Sequence, residues 1–467
     1  MKFVNRVKEL RRLQNLVHSK TAGVAVLWGR RRVGKTRLLL EWTEKNRGVY
    51  FVADESSPAI QRKFFSIAFD PVFPGFSQVE YPDWNSLFLR LAHEATQARW
   101  RKPIVIDELP YLIASSPELP SILQKFIDHE AKKANLIIVL CGSSQRMMLS
   151  AVLDKSSPLY GRTDEQIKLR PIAIGYMKEA LKLKSSREIV QTYAIWGGIP
   201  RYWELVEKSR GNFFEKIDQL VLDPLGLLND EPQRLLHEES PSALHLRPIL
   251  DAIGMGANRL SEIAARMGAP VTSLMRSVDR LIELELIQRE VPYGIDPENS
   301  KKTLYKIQDP FLRFWFTIVA SKRSSFSQAT IETRLKWLNE GLPFIFGAAW
   351  EEMCRQAIPL LSEKWNVIYK PAGRYWEGKG FEWDLVSEAI DGSYFLIGEA
   401  KWTEKKPTEK WIFTAIQKLK NKGIPPVTRS PKADVRYVLF VVEKPSNLVL
   451  PPDTMVIEAK EIIDVLR

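Results

Sequence analysis

An eight-residue loop with a glycine near each end carries the most specific chemistry in the sequence. Residues 29–36 read Gly-Arg-Arg-Arg-Val-Gly-Lys-Thr, which matches the pattern G-x-x-x-x-G-K-[ST]. The backbone amides of such a loop can wrap phosphate oxygens, while Lys35 can reach the β- and γ-phosphates and the Thr36 hydroxyl can ligate Mg²⁺. The sequence therefore predicts a binding loop for ATP and Mg²⁺. Its residues are Gly29, Arg30, Arg31, Arg32, Val33, Gly34, Lys35 and Thr36.

Two carboxylates follow an apolar run in the first half of the sequence. Residues 104–106 (Ile-Val-Ile) are typical of a buried strand, and Asp107 and Glu108 come directly after them. At the end of a strand near a phosphate-binding loop, Asp107 can hold Mg²⁺ and Glu108 can polarise an attacking water. The pair predicts hydrolysis of ATP, not only its binding. The alternative is that the two residues merely cap the start of a helix.

Two further positions could act on the nucleotide. Another apolar run, residues 136–140, is followed by Cys-Gly-Ser-Ser, and we predict that Ser143, together with Ser144, senses the γ-phosphate. Arg162 ends the segment Pro-Leu-Tyr-Gly-Arg and is a candidate arginine finger for the nucleotide of its own subunit or of a neighbour. A structural salt bridge is the alternative for Arg162.

A third set of reactive side chains lies near the carboxy terminus. Asp384 lies in one strand-like segment, and Glu399 and Lys401 lie in the next. Alternation along a strand puts Glu399 and Lys401 on the same side. An aspartate on one strand and Glu-x-Lys on its hairpin partner is the arrangement of restriction-endonuclease-like folds, in which both carboxylates bind Mg²⁺ and the lysine orients a water. A preceding predicted helix offers Glu351 as an additional acid.

Basic and aromatic residues interleave after this triplet, which suits a phosphate-lined groove. Two alternatives stay open, because a fold of this type can lose catalysis and keep DNA binding, and because Glu399 and Lys401 could form an ordinary cross-strand ion pair. The interleaved residues are Lys405, Lys406, Lys410, Lys418, Lys420 and Lys422 around Trp402 and Trp411.

The elements that must position the first site read as an α/β fold. An amphipathic helix is predicted over residues 5–19, and the apolar run at residues 24–28 precedes the glycine-bearing loop and another helix. Further strands are predicted at residues 48–52, 103–106 and 136–140. Apolar strands that alternate with helices predict a parallel sheet covered on both faces.

A helix-turn-helix pattern follows in the middle of the chain. Residues 259–268 and 271–284 read as two helices, and strands at residues 286–290 and 303–307 complete a winged helix. In DNA-binding versions the second helix enters the major groove and the wing touches phosphates. The alternative is a lid or an interdomain spacer. The predicted DNA contacts are Ser273, Arg276, Ser277, Arg280, Lys301 and Lys302.

Composition limits the class of protein. The chain has 467 residues, of which 45% are hydrophobic and 27% charged, with two cysteines and a formal net charge of +12. This length predicts two or three domains, and the charge favours a polyanionic partner. The alternative is that much of the charge belongs to Lys and Arg side chains that are simply solvated. With two distant cysteines and no run near the ~20 apolar residues of a membrane span, we expect no disulfide framework, no membrane partner and a cytoplasmic location.

The motifs together resemble the archaeal-type ATPase family, a branch close to the AAA+ and STAND ATPases. The resemblance rests on Asn5-Arg6 with Glu9, the loop at residues 29–36, Ile-Asp-Glu-Leu-Pro-Tyr-Leu at residues 106–112, Cys-Gly-Ser-Ser at residues 141–144 and Pro-Leu-Tyr-Gly-Arg at residues 158–162. It implies that Asn5 and Arg6 lie near the adenine. It also implies a winged helix after the ATPase and a carboxy-terminal domain of the restriction-endonuclease-like type.

We therefore predict a P-loop ATPase core at residues 1–170, a helical lid-like region at 171–243, a winged helix at 244–320 and a restriction-endonuclease-like domain at 340–467. The predicted function is a Mg²⁺-dependent ATPase that couples nucleotide state to DNA binding and DNA cleavage. The alternative is a STAND-type switch that docks a partner without cleavage. In that case the partner is a second copy of the chain in a homo-oligomer, another protein or DNA. A helicase or translocase is a third possibility, but the sequence shows no additional helicase-like motifs that would support it.

Overall fold

The structure is a computed structural model that describes residues 2–239, 245–296, 300, 302–378, 380–427 and 429–467. It divides into two compact units. The amino-terminal unit comprises Asn5–Pro171 and Ile199–Arg201, and the carboxy-terminal unit comprises Ile172–Gly198 and Tyr202–Arg467 with the residues before Asn5. The predicted core boundary at residue 170 lies next to Pro171, whereas the boundaries at 243, 320 and 340 fall inside one compact unit and stay predictions.

A parallel five-stranded sheet forms the centre of the amino-terminal unit. Its strand order is β2-β3-β4-β1-β5, and every neighbouring pair is parallel. All residues of β1, β3 and β4 are buried, as expected for a sheet with helices on both faces. The strands are β1 Gly23–Trp28, β2 Val49–Val52, β3 Pro103–Asp107, β4 Ile137–Gly142 and β5 Glu165–Lys168. The predicted parallel sheet is confirmed, and β5 is an addition to it.

Seven α-helices accompany this sheet. Aromatic packing fixes several of them, since the Phe65 ring lies 5.1 Å from Phe51 of β2 and 5.9 Å from Trp84, at edge-to-face geometries that favour aromatic pairs. The helices are α1 Val7–His18, α2 Lys35–Lys45, α3 Pro58–Phe69, α4 Trp84–Gln97, α5 Leu109–Ser115, α6 Leu119–Phe126 and α7 Gln145–Met148.

Helices dominate the next part of the chain, and a winged helix follows them. Leu274, Val278 and Leu281 are buried on one face of the second helix of the helix-turn-helix, and β6 and β7 pair antiparallel as the wing. The predicted helical region and winged helix are therefore present. The elements are α8 Met177–Leu181, α9 Ser186–Trp196, α10 Pro200–Lys208, α11 Phe213–Ile217, α12 Glu231–Glu239, α13 Arg247–Gly254, α14 Leu260–Met267, α15 Val271–Glu283, β6 Ile287–Glu290 and β7 Leu304–Ile307.

The polar stretch at residues 321–325 reads from its sequence as a connector, but the structure makes it helical. Residues 323–325 of this stretch form the first turn of α17, in which Phe326 is buried, and Arg323 forms an ion pair with Asp230. Burial of one aromatic side chain and a tertiary ion pair outweigh the low apolar content of the segment. The helices after the wing are α16 Pro310–Phe314, α17 Arg323–Gln328, α18 Ile331–Ala357 and α19 Ser362–Trp365.

A second five-stranded sheet, of mixed direction, ends the chain. Its order is β12-β11-β10-β9-β8. Strands β8, β9 and β10 form an antiparallel meander, whereas β10, β11 and β12 run parallel. The long helix α18 precedes the meander, and α20 connects β10 to β11. The elements are β8 Gly373–Trp376, β9 Glu382–Glu388, β10 Tyr394–Lys401, α20 Glu409–Asn421, β11 Asp434–Val441, β12 Thr454–Glu458 and α21 Ala459–Val465.

None of the helices in the described part of the chain is long and apolar enough to cross a membrane.

Candidate nucleotide and carboxylate sites

The glycine-bearing loop connects the end of β1 to the start of α2, as its sequence predicts. Gly29 has a φ of 152°, and a Cβ there would lie 2.4 Å from the carbonyl oxygen of Leu169. Gly34 has a φ of 93° and directly precedes α2. An L side chain would be strained at both positions. The two glycines therefore set the loop shape that brings backbone amides to the amino end of a helix.

Lys35 lies inside the loop that it is predicted to serve. Its Nζ donates hydrogen bonds to the carbonyl oxygens of Gly29, at 2.8 Å, and Arg30, at 3.1 Å. Burial lowers the pKa of the Lys35 ammonium, although the nearby carboxylates of Asp107 and Glu108 act in the opposite direction. These acids offset part of the cost of burying the charged amine next to the end of β3.

Asp107 is the centre of a hydrogen-bond network at the carboxyl end of β3. The Thr36 hydroxyl donates to Asp107 Oδ2 at 2.9 Å, and the Tyr50 hydroxyl donates to the same oxygen. The backbone N–H of Glu108 donates to Asp107 Oδ1 at 2.9 Å. Burial and the charge of Asp107 raise the pKa of the Tyr50 phenol. The adjacent hydroxyl and carboxylate oxygens of Thr36 and Asp107 are the hard donors that suit Mg²⁺.

Ser143 holds the second carboxylate of the pair. Its backbone N–H donates to Glu108 Oε2 at 3.2 Å, and its hydroxyl donates to Glu108 Oε1. Glu108 itself has a φ of 55° and precedes α5. The structure thus brings Lys35, Thr36, Asp107, Glu108 and Ser143 together at one edge of the sheet, where the carboxyl ends of parallel strands form binding sites.

Arg6 packs behind the loop. Its guanidinium is buried and donates to the carbonyl oxygens of Val33 and Arg170, both at 2.8 Å, and lies 3.3 Å from the Glu9 carboxylate. Burial lowers the pKa of Arg6, against the effect of Glu9. Asn5 and Arg6 both have left-handed backbone, with φ of 65° and 74°. Arg6 therefore fastens the start of the chain to the loop, and adenine contact by Asn5 and Arg6 stays a prediction.

Arg162 lies at the opposite edge of the sheet. The Asp164 N–H donates to the Val24 carbonyl at 2.8 Å, which places the start of β5 beside the start of β1. The six residues of β1 separate this edge from the loop by about 17 Å. The Arg162 guanidinium donates to Asp128 Oδ2 at 2.8 Å. The structure therefore does not bring Arg162 to the loop of its own chain, and action on a neighbour's nucleotide stays a prediction.

The register of β9 and β10 brings two of the predicted carboxyl-terminal acids together. Gly398 lies opposite Leu385, so the next pair along these antiparallel strands is Glu399 opposite Asp384. The Ala400 N–H donates to Asp384 Oδ2 at 3.0 Å. Burial raises the pKa of Asp384, and the Glu399 charge adds to that increase. Two acids on neighbouring strands whose charges act on each other can together attract a cation.

Two lysines occupy Glu399. Lys401 Nζ lies 2.6 Å and Lys422 Nζ lies 3.0 Å from the same oxygen, Glu399 Oε1. Burial alone would raise the pKa of Glu399, but these two ammonium groups lower it overall. The placement of Lys401 agrees with the predicted triplet, whereas Lys422 reaches the site from the end of α20. Lys422 is predicted only as one of the groove lysines, and nothing in the sequence around it indicates that it contacts Glu399.

Glu351 faces the same strands from α18. Burial and the charge of Asp384 raise the pKa of Glu351, and Arg355 lies 3.6 Å from its carboxylate. Arg355 also donates to the Asp384 carbonyl oxygen at 2.9 Å. Within the described residues no group of three or more His, Cys, Asp or Glu side chains is arranged to hold a metal ion. A metal ion here would therefore be bound by Asp384 and Glu399 together with oxygen atoms that do not belong to these two side chains.

The wing is partly occupied by contacts with the carboxy-terminal sheet. Lys302 Nζ lies 3.1 Å from Glu377, and the Tyr293 N–H donates to the Arg374 carbonyl at 2.7 Å. Lys301 lies outside the described residues. On α15, Ser273 and Arg276 are exposed, whereas Ser277 and Arg280 are half-buried, and Arg280 pairs with Glu283 at 3.0 Å. Of the DNA contacts predicted for this domain, Ser273 and Arg276 of α15 and Lys302 of the wing are thus exposed, and Lys302 is paired with Glu377.

Two sequence families match the chain. Residues 3–206 match a family described as an ATPase domain predominantly from Archaea. Residues 315–412 match a family described as Archaea bacterial proteins of unknown function. An uncharacterized protein of Methanocaldococcus jannaschii is 30% identical over 410 residues, which cover 86% of this chain and 88% of that protein.

Two solved structures are similar to parts of the chain. The Walker-type ATPase of Pyrococcus abyssi matches with a TM-score of 0.54 and 21% identity, over 68% of this chain and 96% of that one. The ORC2 protein of Aeropyrum pernix, solved in ADPNP–ADP complexes, matches with a TM-score of 0.45 and 12% identity, over 74% of this chain and 95% of that one. The first of these likenesses places the fold among the P-loop ATPases.

Proposed function

Because the chain belongs to the archaeal-type family of P-loop ATPases, we propose that it couples Mg²⁺-dependent ATP hydrolysis to DNA binding by the winged helix and to DNA cleavage by the carboxy-terminal α/β domain. ATP hydrolysis is the activity of the amino-terminal unit. In it, Lys35 neutralises phosphate charge, Asp107 and Thr36 supply oxygen ligands for Mg²⁺, and Glu108 orients the attacking water. A neighbouring subunit's Arg162 would complete the charge stabilisation.

One observation carries the proposal of cleavage. Asp384 and Glu399 face each other on adjacent strands, Lys401 contacts Glu399, and Glu351 approaches from the helix before the meander. A carboxylate pair with a neighbouring lysine can hold a divalent cation against a phosphate and keep a water in line for attack. The order of helix, three-stranded meander, helix and parallel strand agrees with the restriction-endonuclease-like fold that the sequence predicts.

Cleavage is tested with purified wild type and the Asp384→Asn/Glu399→Gln variant on linear, supercoiled and single-stranded DNA, with Mg²⁺ or Mn²⁺ and with or without ATP. We expect the variant to lose cleavage by more than about a hundredfold, because both metal ligands lose their charge and even the loss of an outer partner of a ligand costs about ten- to a hundredfold. Both replacements keep the size of the side chain. Asp434→Asn, which changes an exposed acid on β11, is the matched control and should cleave as wild type does.

Two outcomes would count against cleavage. Equal cutting by wild type and the Asp384→Asn/Glu399→Gln variant would point to a contaminating nuclease. An absence of cutting by the wild type under every condition, alongside normal ATP hydrolysis, would favour a STAND-type switch in which the same domain docks DNA or a protein partner.

DNA binding by α15 is tested at an exposed cation. Arg276→Ala should weaken binding to duplex DNA and lower the slope of log affinity against log salt by about one, since one phosphate contact is lost. Arg210→Ala, which removes an exposed arginine outside the winged helix, is the control. Fluorescence anisotropy of a labelled duplex at several salt concentrations measures both slopes. Identical slopes for wild type and Arg276→Ala would exclude this contact.

A further inference from the structure

The second hydroxyl group that donates a hydrogen bond to Asp107 comes from a residue that no motif identifies. We infer that Tyr50 is a positioning residue for the nucleotide site, whose hydroxyl fixes the Asp107 carboxylate so that its oxygens meet Mg²⁺ in one orientation. Thr36 and Tyr50 both donate to Asp107 Oδ2. Thr36 is itself a predicted metal ligand, so Tyr50 is the donor of the two that can serve Asp107 alone.

The strand register explains why Tyr50 reaches this carboxylate. Val52 lies opposite Asp107 in the parallel pair of β2 and β3, and Tyr50 lies opposite Val105. Residues two apart on a strand share a face, so Tyr50 projects on the same side as Asp107 from a distance of about 6.6 Å along the strand. A phenol spans that distance, whereas shorter polar side chains would not reach.

The burial of Asp107 makes this bond consequential. Asp107 is 1% exposed, so water does not replace a lost donor freely. The Glu108 N–H fixes Oδ1, and Tyr50 with Thr36 fixes Oδ2, so the carboxylate plane is held at both oxygens. Without Tyr50, Thr36 is the remaining hydroxyl donor to Oδ2, and this one hydroxyl would have to orient both Asp107 and the metal ion.

The test compares nucleotide binding with and without metal. A general loss of pocket shape would weaken binding in both conditions, whereas loss of the Asp107 orientation would weaken it only with metal. This inference rests on the Mg²⁺ dependence proposed above, and the wild-type protein tests that dependence separately. A fluorescent ATP analogue is titrated into wild type, Tyr50→Phe and Tyr81→Phe, once with Mg²⁺ and once with EDTA. Tyr81 is the matched control, because its hydroxyl donates to the Phe76 carbonyl at 2.9 Å, outside the nucleotide site.

We expect Tyr50→Phe to weaken binding about tenfold with Mg²⁺ and to leave binding in EDTA unchanged, since a hydrogen bond to a charged acceptor is lost. Tyr81→Phe should match wild type in both conditions. Equal weakening of Tyr50→Phe in both conditions, or no weakening in either, would overturn the inference. A wild type whose binding ignores Mg²⁺ would overturn the proposed Mg²⁺ dependence and this inference with it.

Discussion

Lys35→Ala is expected to lower the rate of ATP hydrolysis by about a thousandfold, because it removes the cation that the loop directs at developing phosphate charge. Lys35 is 5% exposed, and its Nζ is held by the carbonyl oxygens of Gly29 and Arg30. The amine is therefore positioned before any substrate arrives, so little conformational entropy is lost in ordering its side chain when the nucleotide binds. Steady-state phosphate release at saturating Mg²⁺ and ATP measures the rate.

The control for Lys35→Ala lies on the same helix. Lys45→Ala removes an exposed lysine from the last turn of α2 and should keep the wild-type rate. Thermal unfolding of both variants is needed, because Lys35→Ala leaves two buried carbonyl oxygens without their donor, at a cost of about 1–3 kcal/mol. A folded Lys35→Ala protein that still hydrolyses ATP at the wild-type rate would contradict the assignment of the loop.

Local pattern was sufficient to predict the parts of the nucleotide site that depend on adjacent residues. The loop needs glycines next to a strand and a helix, and both elements have strong apolar patterns. Asp107 and Glu108 follow an apolar strand in the same way. Such features are visible in a single sequence because their geometry is set within a few residues.

Contacts between distant residues could not be predicted in this way. Strand β5 has a single buried residue, Ile167, so its sequence lacks the apolar run that identified the other strands. Without β5, the sequence gives no indication that Arg162 lies at the edge opposite the loop. Tyr50 contacts Asp107 because their strands pair, and Lys422 contacts Glu399 from the end of a helix. In neither pair does a local sequence pattern fix the number of residues between the two partners.

The two sites share a physical arrangement despite their different folds. In each, a pair of acids lies at strand ends or on facing strands, and neighbouring polar side chains hold them. Ser143 and Tyr50 hold Glu108 and Asp107, whereas Lys401 and Lys422 hold Glu399. Acids fixed in this way pay little reorganisation when a cation binds. The lysines must, however, yield part of Glu399 Oε1 to any metal ion.

A buried ion pair in the carboxy-terminal unit gives the second large expected effect. Arg334 of α18 contacts both oxygens of Asp218, at 2.6 Å and 2.8 Å, and the two side chains are 8% and 5% exposed. Arg334→Met is expected to destabilise this unit by about 3 kcal/mol, because it leaves the Asp218 carboxylate buried without its partner. Urea unfolding followed by tryptophan fluorescence measures the change.

The matched variants separate the charge from the packing. Asp218→Leu/Arg334→Met removes both charges and should recover most of the lost stability, since an apolar pair needs no compensation for desolvation. Arg467→Met breaks an exposed pair with Glu179 and should change stability by less than about 1 kcal/mol. If Arg334→Met were as stable as Arg467→Met, Asp218 would have to reach solvent in the variant, and α18 would be held by its apolar face alone.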